Sequence, residues 1–169
     1  MMTALAIHTP SQTVGPFYGV GLIWDGCENA VPAGSEDAVE IAGTVLDGDG
    51  PVEFPAGMIE IWSPGQFARG RTDAAGRYTA RVRRPREAPA YADGRPQAPH
   101  LNVAVFGRGL LKPLHTRLYF PEDDLAGEAV VELVPEDRRH HLVAVAQPDG
   151  VYRFDLCLQG TDESVFFAF

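Results

Sequence analysis

The sequence predicts an all-β protein: a β-sandwich with long loops and at most short helices. Three observations predict it. Apolar residues alternate with polar ones in several short runs, the period of a strand with one buried face. Glycine (18) and proline (14) are abundant between those runs, which suits many turns rather than long helices. Hydrophobic residues make up 45% of 169 residues, enough for a sizeable core in one domain of ordinary size.

Composition excludes several classes. The net charge is -9, whereas nucleic-acid binding needs a basic face. An acidic chain also repels small anions, so an anionic ligand requires a local arginine. Cys27 and Cys157 are too few for a disulfide framework, and Cys157 reads as a small core residue. The start, M-M-T-A-L-A-I-H-T-P, lacks the charged and apolar regions of a secretion signal. No run has the length of a membrane span. A cytoplasmic protein with neither nucleic acid nor membrane as partner is expected.

Residues 1–8 read as a loose terminus. Thr9 to Leu22, T-P-S-Q-T-V-G-P-F-Y-G-V-G-L, holds two prolines and three glycines, so no regular helix is expected there. Phe17 and Tyr18 suggest an extended arm packed on a surface, its own or a partner's. The expected division is an arm over 1–22 and a single β-sandwich domain over 23–169.

Residues 23–38 read as a polar loop. Val39–Leu46 alternates as a strand and ends in the turn Asp47–Gly50. That acidic turn lacks the later ligands of a calcium loop. Gly57–Trp62 is apolar on nearly both faces and reads as a central strand. Ser63–Gly70 reads as a loop, and Asp73–Gly76 as a turn. Arg77–Arg83 alternates strictly, with Tyr78, Ala80 and Val82 facing in. Its outward Arg77, Arg81 and Arg83 suit a solvated face or an interface stripe. Pro85–Pro99 is a long irregular loop of the kind that covers something.

Pro99 to Phe120 reads as a hairpin, and the rest of the chain is organised around it. Leu101, Val103 and Val105 share one strand face; His100, Asn102, Ala104 and Phe106 share the other. Gly107 and Gly109 frame Arg108 at the turn, and His115–Phe120 is the returning strand. An arginine presented there can fork onto a carboxylate through two parallel bonds. A plain hairpin with a charged tip is the alternative.

Pro121–Gly127 is an acidic connector and Ala129–Val134 a short strand. Pro135–Leu142 begins with acids and ends with basic residues, the order of a helical turn. His140 and His141 invite a metal reading, but neighbours on a helix should point apart, which favours a surface role. Val151–Leu158 reads as a strand and Ser164–Phe169 as a closing strand whose three phenylalanines need a core or a partner.

In order along the chain, T-P-S-Q-T-V-G-P-F (Thr9–Phe17), A-P-H-L-N-V-A-V-F-G-R-G (Ala98–Gly109), L-H-T-R-L-Y-F (Leu114–Phe120), Y-R-F-D (Tyr152–Asp155) and the ending V-F-F-A-F resemble the intradiol ring-cleaving dioxygenases. The resemblance implies the β-sandwich of that family. It implies cleavage of a catechol between its hydroxyl-bearing carbons, with O2 and a non-haem ferric ion. Family members hold the ion with two tyrosines and an H-x-H pair. Here His100 matches the first histidine, and Asn102 stands in place of the second. Phe67 is the nearest aromatic after the Trp62 strand and has no phenolate. Tyr91 is the only tyrosine in the loop before His100.

The resemblance therefore implies a diverged chain whose Fe(III) is held by a homologous beta chain, an obligate partner, and not by this one. His100 becomes a packed histidine. The shared substrate is protocatechuate. Carried over position by position, Thr13, Gly15, Pro16 and Phe17 in the arm and Arg108 at the turn bind it, with Arg108 facing its carboxylate. The family often has tyrosine where Phe17 stands. The weighed alternatives are a free-standing iron enzyme with altered ligands and a stand-alone β-sandwich module that binds a small molecule without dioxygenase activity.

Overall fold

In the computed structural model, residues 18–48 and 50–168 are described. They form a short helix α1 (Tyr18–Leu22), then β1 (Ala38–Asp47), β2 (Gly50–Pro51), β3 (Met58–Ser63), β4 (Gln66–Arg71) and β5 (Arg77–Arg83). After the irregular stretch 84–100 come β6 (Leu101–Phe106), β7 (Leu114–Leu118), α2 (Ala129–Glu132) and a 3-10 helix, Glu136–Leu142. The chain closes through β8 (Val145–Ala146), β9 (Val151–Arg153) and β10 (Leu156–Cys157).

Two sheets result. In the first, β1 pairs antiparallel with β5 along one edge and parallel with β9 and β10 along the other; β8 adds to β9 and β2 to the end of β1. The second runs β4-β3-β6-β7, all antiparallel. The alternation read from sequence fills the space between them. Ile41, Val45, Tyr78, Val82 and Phe154 meet Ile59, Ile61, Leu101, Val103, Val105 and Phe120 in one buried cluster. A second cluster lies under the helices, where Tyr119 packs with Val131, Val134, Leu142 and Val165. This is the all-β sandwich the sequence predicts.

Several expectations need correction. The stretch Tyr18–Leu22, expected to be extended, closes a helical turn, with Ile23 N donating to Gly19 O at 3.1 Å. Gly19 permits it by lying against Phe54, where a Cβ would come within 2.6 Å of the ring. Ser63–Gly70 is not a loop but the β3–β4 hairpin. Pro64 and Gly65 turn it, with Gly65 at φ +82°, and Ser63 pairs with Gln66. Its inward positions are Ala68 and Gly70, too small to register as an apolar alternation.

The run Ala129–Val134 is not a strand but begins with the helix α2, Ala129–Glu132. The Glu128 carboxylate accepts from Val130 N, and Val131 and Val134, three apart, both reach the second cluster. Cap and packing override the β propensity of valine. The run 151–158 splits at Phe154 and Asp155 into two short strands. Of the closing strand, whose Phe169 lies outside the described residues, the described part shows one bridge, Phe167 N to His115 O at 2.8 Å. Cys157 is only half-buried, and Cys27 is the buried cysteine. The rings of His140 and His141 do not point apart; their centroids are 4.1 Å from each other.

Candidate functional site

Arg108 sits where the hairpin reading puts it, exposed in the 107–113 connection between β6 and β7. Gly109 at φ +89° turns the chain, and Leu110 N closes onto Gly107 O at 3.2 Å. Gly107 is packed: a Cβ there would touch Leu110 and Leu158 at 3.3 Å. The guanidinium is paired with no carboxylate among the described residues. Thr13, Gly15, Pro16 and Phe17 lie outside the described residues, so the structure does not place them relative to Arg108.

At the other end of β6 the structure assembles a polar cluster. His100 is buried at the mouth of the strand, its Nδ1 donating to Ala98 O at 2.8 Å and its ring 5.6 Å from that of Tyr119. Asn102 pairs across the sheet with Arg117 on β7 and with Trp62 on β3. Arg117 Nη1 donates to Tyr119 Oη at 3.2 Å and to Tyr91 Oη at 3.4 Å, and lies 3.8 Å from Glu128 Oε1. The Tyr91 hydroxyl donates to Glu128, whose other oxygen accepts from Ala98 N at 2.6 Å. Glu128, 2% exposed, thereby ties the irregular stretch 84–100 to the start of α2.

Each group's protonation follows from this packing. Burial pushes the Tyr119 phenol up to about 12, against the hydrogen bond and charge of Arg117. Burial, then the bond to Glu128, raises Tyr91 as well. Burial would raise Glu128, but the bonds from Tyr91, Ala98 N and Val130 N and the charge of Arg117 outweigh it and hold the carboxyl below its ordinary range. Burial lowers His100, with Arg117 adding to the effect.

A pH dependence is expected. The unfolded His100 titrates near 6.5 and the folded one lower, so between those values the unfolded chain binds the extra proton. Stability should therefore start to fall as pH drops below about 6.5. Glu128 contributes stability that is present above its ordinary value near 4.5 and is lost as pH falls through its lower folded value. Urea midpoints measured from pH 8 to pH 4 check this; a flat profile between 7 and 5 contradicts the His100 assignment.

Sequence reasoning put His100, Asn102 and Tyr91 in play but missed Arg117, Tyr119 and Glu128. Arg117 and Tyr119 share with His115 the face of the returning strand opposite Thr116, Leu118 and Phe120, a signal that was there to be found. Glu128 had none, since it follows an acidic connector that reads as solvated. Phe67 is not at this cluster. It stands on β4 opposite Trp62, the two being 42% and 44% exposed. Arg69 lies 5.0 Å over the Phe67 ring and 5.6 Å from that of Trp24, pinned by Glu60 at 2.6 Å. The result is an exposed aromatic patch with its cation held in place. A groove of about 1000 Å³ also runs over β1, β5 and β9. Its lining mixes Arg71, Arg77 and Arg153 with Asp25, Glu28, Asp73, Asp149 and Asp155, so it has no single sign of charge.

No family model matches the chain. Curated relatives match it end to end. A protocatechuate 3,4-dioxygenase alpha chain from Burkholderia cepacia is 37% identical over 98% of this chain and 99% of its own. One from Pseudomonas putida is 32% identical over the whole of both chains. Among solved structures, the dioxygenase domain of a carbohydrate-binding fusion from Streptomyces sp. SirexAA-E superposes with a TM-score of 0.62 at 19% identity, over 93% of this chain and 99% of that one. Hydroxyquinol 1,2-dioxygenase from Pseudomonas putida DLL-E4 gives 0.58 at 17% identity, over 88% and 65%. These structures share the fold.

Proposed function

The chain belongs to the intradiol ring-cleaving dioxygenases, among the protocatechuate 3,4-dioxygenase alpha chains, and from that premise we propose that it is the subunit of such an enzyme that does not bind iron. It completes the pocket of a homologous beta chain that carries Fe(III). Together they cleave protocatechuate with O2 to 3-carboxy-cis,cis-muconate, in the cytoplasm, as part of aromatic-compound degradation through the beta-ketoadipate pathway. The observation that carries this reading is the full-length match to two alpha chains.

The chemistry around His100 supports placing the iron on the partner. A ferric ion needs anionic phenolates, which suit it as hard donors. Here a permanent guanidinium, Arg117, lies within hydrogen-bond reach of both the Tyr91 and the Tyr119 hydroxyl and would repel an added cation. Asn102 offers an amide in place of an imidazole. A trivalent cation does not fit among these groups.

What this chain lends is an arm over 1–22, whose Thr13, Gly15, Pro16 and Phe17 wall the pocket, and a β-sandwich over 23–169 that presents Arg108 to the substrate carboxylate. A guanidinium with no carboxylate partner among the described residues, on a chain of net charge -9, is a focused attraction for one anion. The exposed Trp24, Trp62 and Phe67 suit a partner interface, where aromatic residues are enriched.

The test is the complex formed with a related chain whose H-x-H pair is intact. One charge-assisted bond contributes about 1.5–3 kcal/mol. Arg108→Ala should therefore lower kcat/KM for protocatechuate roughly ten- to a hundredfold. Turnover of a catechol without the carboxylate should stay unchanged. Equal activity of variant and wild type on protocatechuate removes Arg108 from the site. Stoichiometric iron on this chain purified alone removes the division of labour.

A further inference from the structure

We infer that His140, His141 and Asp162 form a binding site for a divalent transition metal ion, with Zn2+ the best match. The inference is independent of the dioxygenase reading. The 3-10 helix Glu136–Leu142 has about three residues per turn, which sets consecutive residues roughly 120° apart around its axis. Here the two rings nonetheless converge. The two imidazoles are 4.1 Å apart with their planes 36° from parallel, and His141 Nε2 lies 3.8 Å from Asp162 Oδ1. One ligand atom from each of the three residues falls within 4.8 Å of the other two.

Two imidazoles and a carboxylate are a donor set for zinc, copper or nickel rather than for magnesium or calcium, which prefer oxygen alone. Around a tetrahedral zinc, ligands about 2.1 Å from the ion stand roughly 3.4 Å from one another. The three donors must therefore contract slightly, and two of them are free to do so. His140 is exposed and Asp162 is 91% exposed on its side chain, while His141 is mostly covered and fixed.

The scaffold on either side is already tied. Arg138 Nη2 donates to Glu163 O at 2.8 Å, joining the helix to the segment that carries Asp162. Ser164 is buried and bonds twice to Cys157, its N donating to Cys157 O and its Oγ accepting from Cys157 N, both at 2.9 Å. The two elements are thus held within reach whether or not an ion is present. Three protein ligands leave a fourth position for water, so the site is open. A bound ion would clamp the 3-10 helix to the C-terminal segment.

Equilibrium dialysis of the full-length chain against micromolar ZnCl2, in whatever complex it purifies, tests this. Zinc is counted as wild type minus variant, so metal held elsewhere cancels. Wild type should retain one Zn2+ more than His140→Ala or Asp162→Asn. Each substitution removes a ligand and should weaken binding at least about tenfold, the loss found even for outer-shell partners. Both positions are exposed, so the fold is spared. In imidazole NMR, zinc should shift the His140 and His141 nitrogens together. Equal zinc uptake by wild type and both variants overturns the site, as does no uptake by the wild type.

Discussion

Replacing Glu128 by alanine is expected to cost about 3–5 kcal/mol of folding free energy, the range for breaking a buried ion pair from one side. The carboxylate accepts from Ala98 N at 2.6 Å, from Val130 N at 3.2 Å and from the Tyr91 hydroxyl, and faces Arg117 at 3.8 Å. Alanine orphans the two amides and the Tyr91 hydroxyl at once, while Arg117 keeps its bonds to the Tyr91 and Tyr119 hydroxyls. The amide of Val130 loses its cap, and the guanidinium loses its only carboxylate among the described residues while its side chain stays 14% exposed. Glu128→Gln keeps an acceptor for Ala98 N but no charge for Arg117, so it should fall between wild type and alanine. Denaturation midpoints read the effect, and hydrogen exchange at Ala98 should quicken, because the stretch 84–100 loses its anchor to α2. A loss below about 1 kcal/mol for alanine, the ordinary size for a surface change, would mean the cluster holds nothing together.

How much of this was legible in the chain depends on which force decided each element. β1, β3, β5, β6 and β7 bury one face against the opposing sheet, and their alternation is written in side chains large enough to read. β4 has the same geometry, but its inward residues are Ala68 and Gly70, so the period vanished. α2 is decided by a carboxylate cap and by what lies above Val131 and Val134; neither is visible in a valine-rich run. The split between β9 and β10 follows from Phe154 filling the core, a three-dimensional fact.

The polar residues divide in the same way. The exposed place of Arg108 between β6 and β7 was legible because two glycines frame it between two strands, a local signal. The cluster of Tyr91, Arg117, Tyr119 and Glu128 was not, because its members come from three separate stretches and meet only after the sheet has formed. His100 was read correctly as a packed residue from the exchange at Asn102. The convergence of His140 and His141 was not legible, because either kind of helix sends adjacent residues apart and only the side-chain placement brings their rings to 4.1 Å.

Gly43→Ala is expected to destabilise the fold by about 3 kcal/mol or more, at or beyond the upper end for an overpacked core. Gly43 lies in β1 at the point where β9 ends and the chain crosses toward β10. A Cβ there would sit 1.9 Å from Phe154 O and 2.7 Å from Phe154 C, with the Tyr78 ring at 2.9 Å. The nearest atoms are backbone, so no rotamer change relieves the overlap. That carbonyl is also held from two directions. The Tyr78 hydroxyl donates to it at 2.5 Å, and Phe154 N is fixed by Ala42 O at 2.8 Å. Moving it away breaks a buried bond and leaves the Tyr78 phenol, which burial already pushes well above its ordinary range, without its acceptor. Separating β1 from the β9–β10 edge instead opens the core around Phe154 and Leu156. Both routes are costly, and a methyl group alone forces the choice. Thermal or urea unfolding of Gly43→Ala should show the loss, and Tyr78→Phe in that background should recover little of it, because the clash with the carbonyl remains. A variant as stable as wild type would show that β1 and the Phe154 carbonyl do not approach this closely in solution.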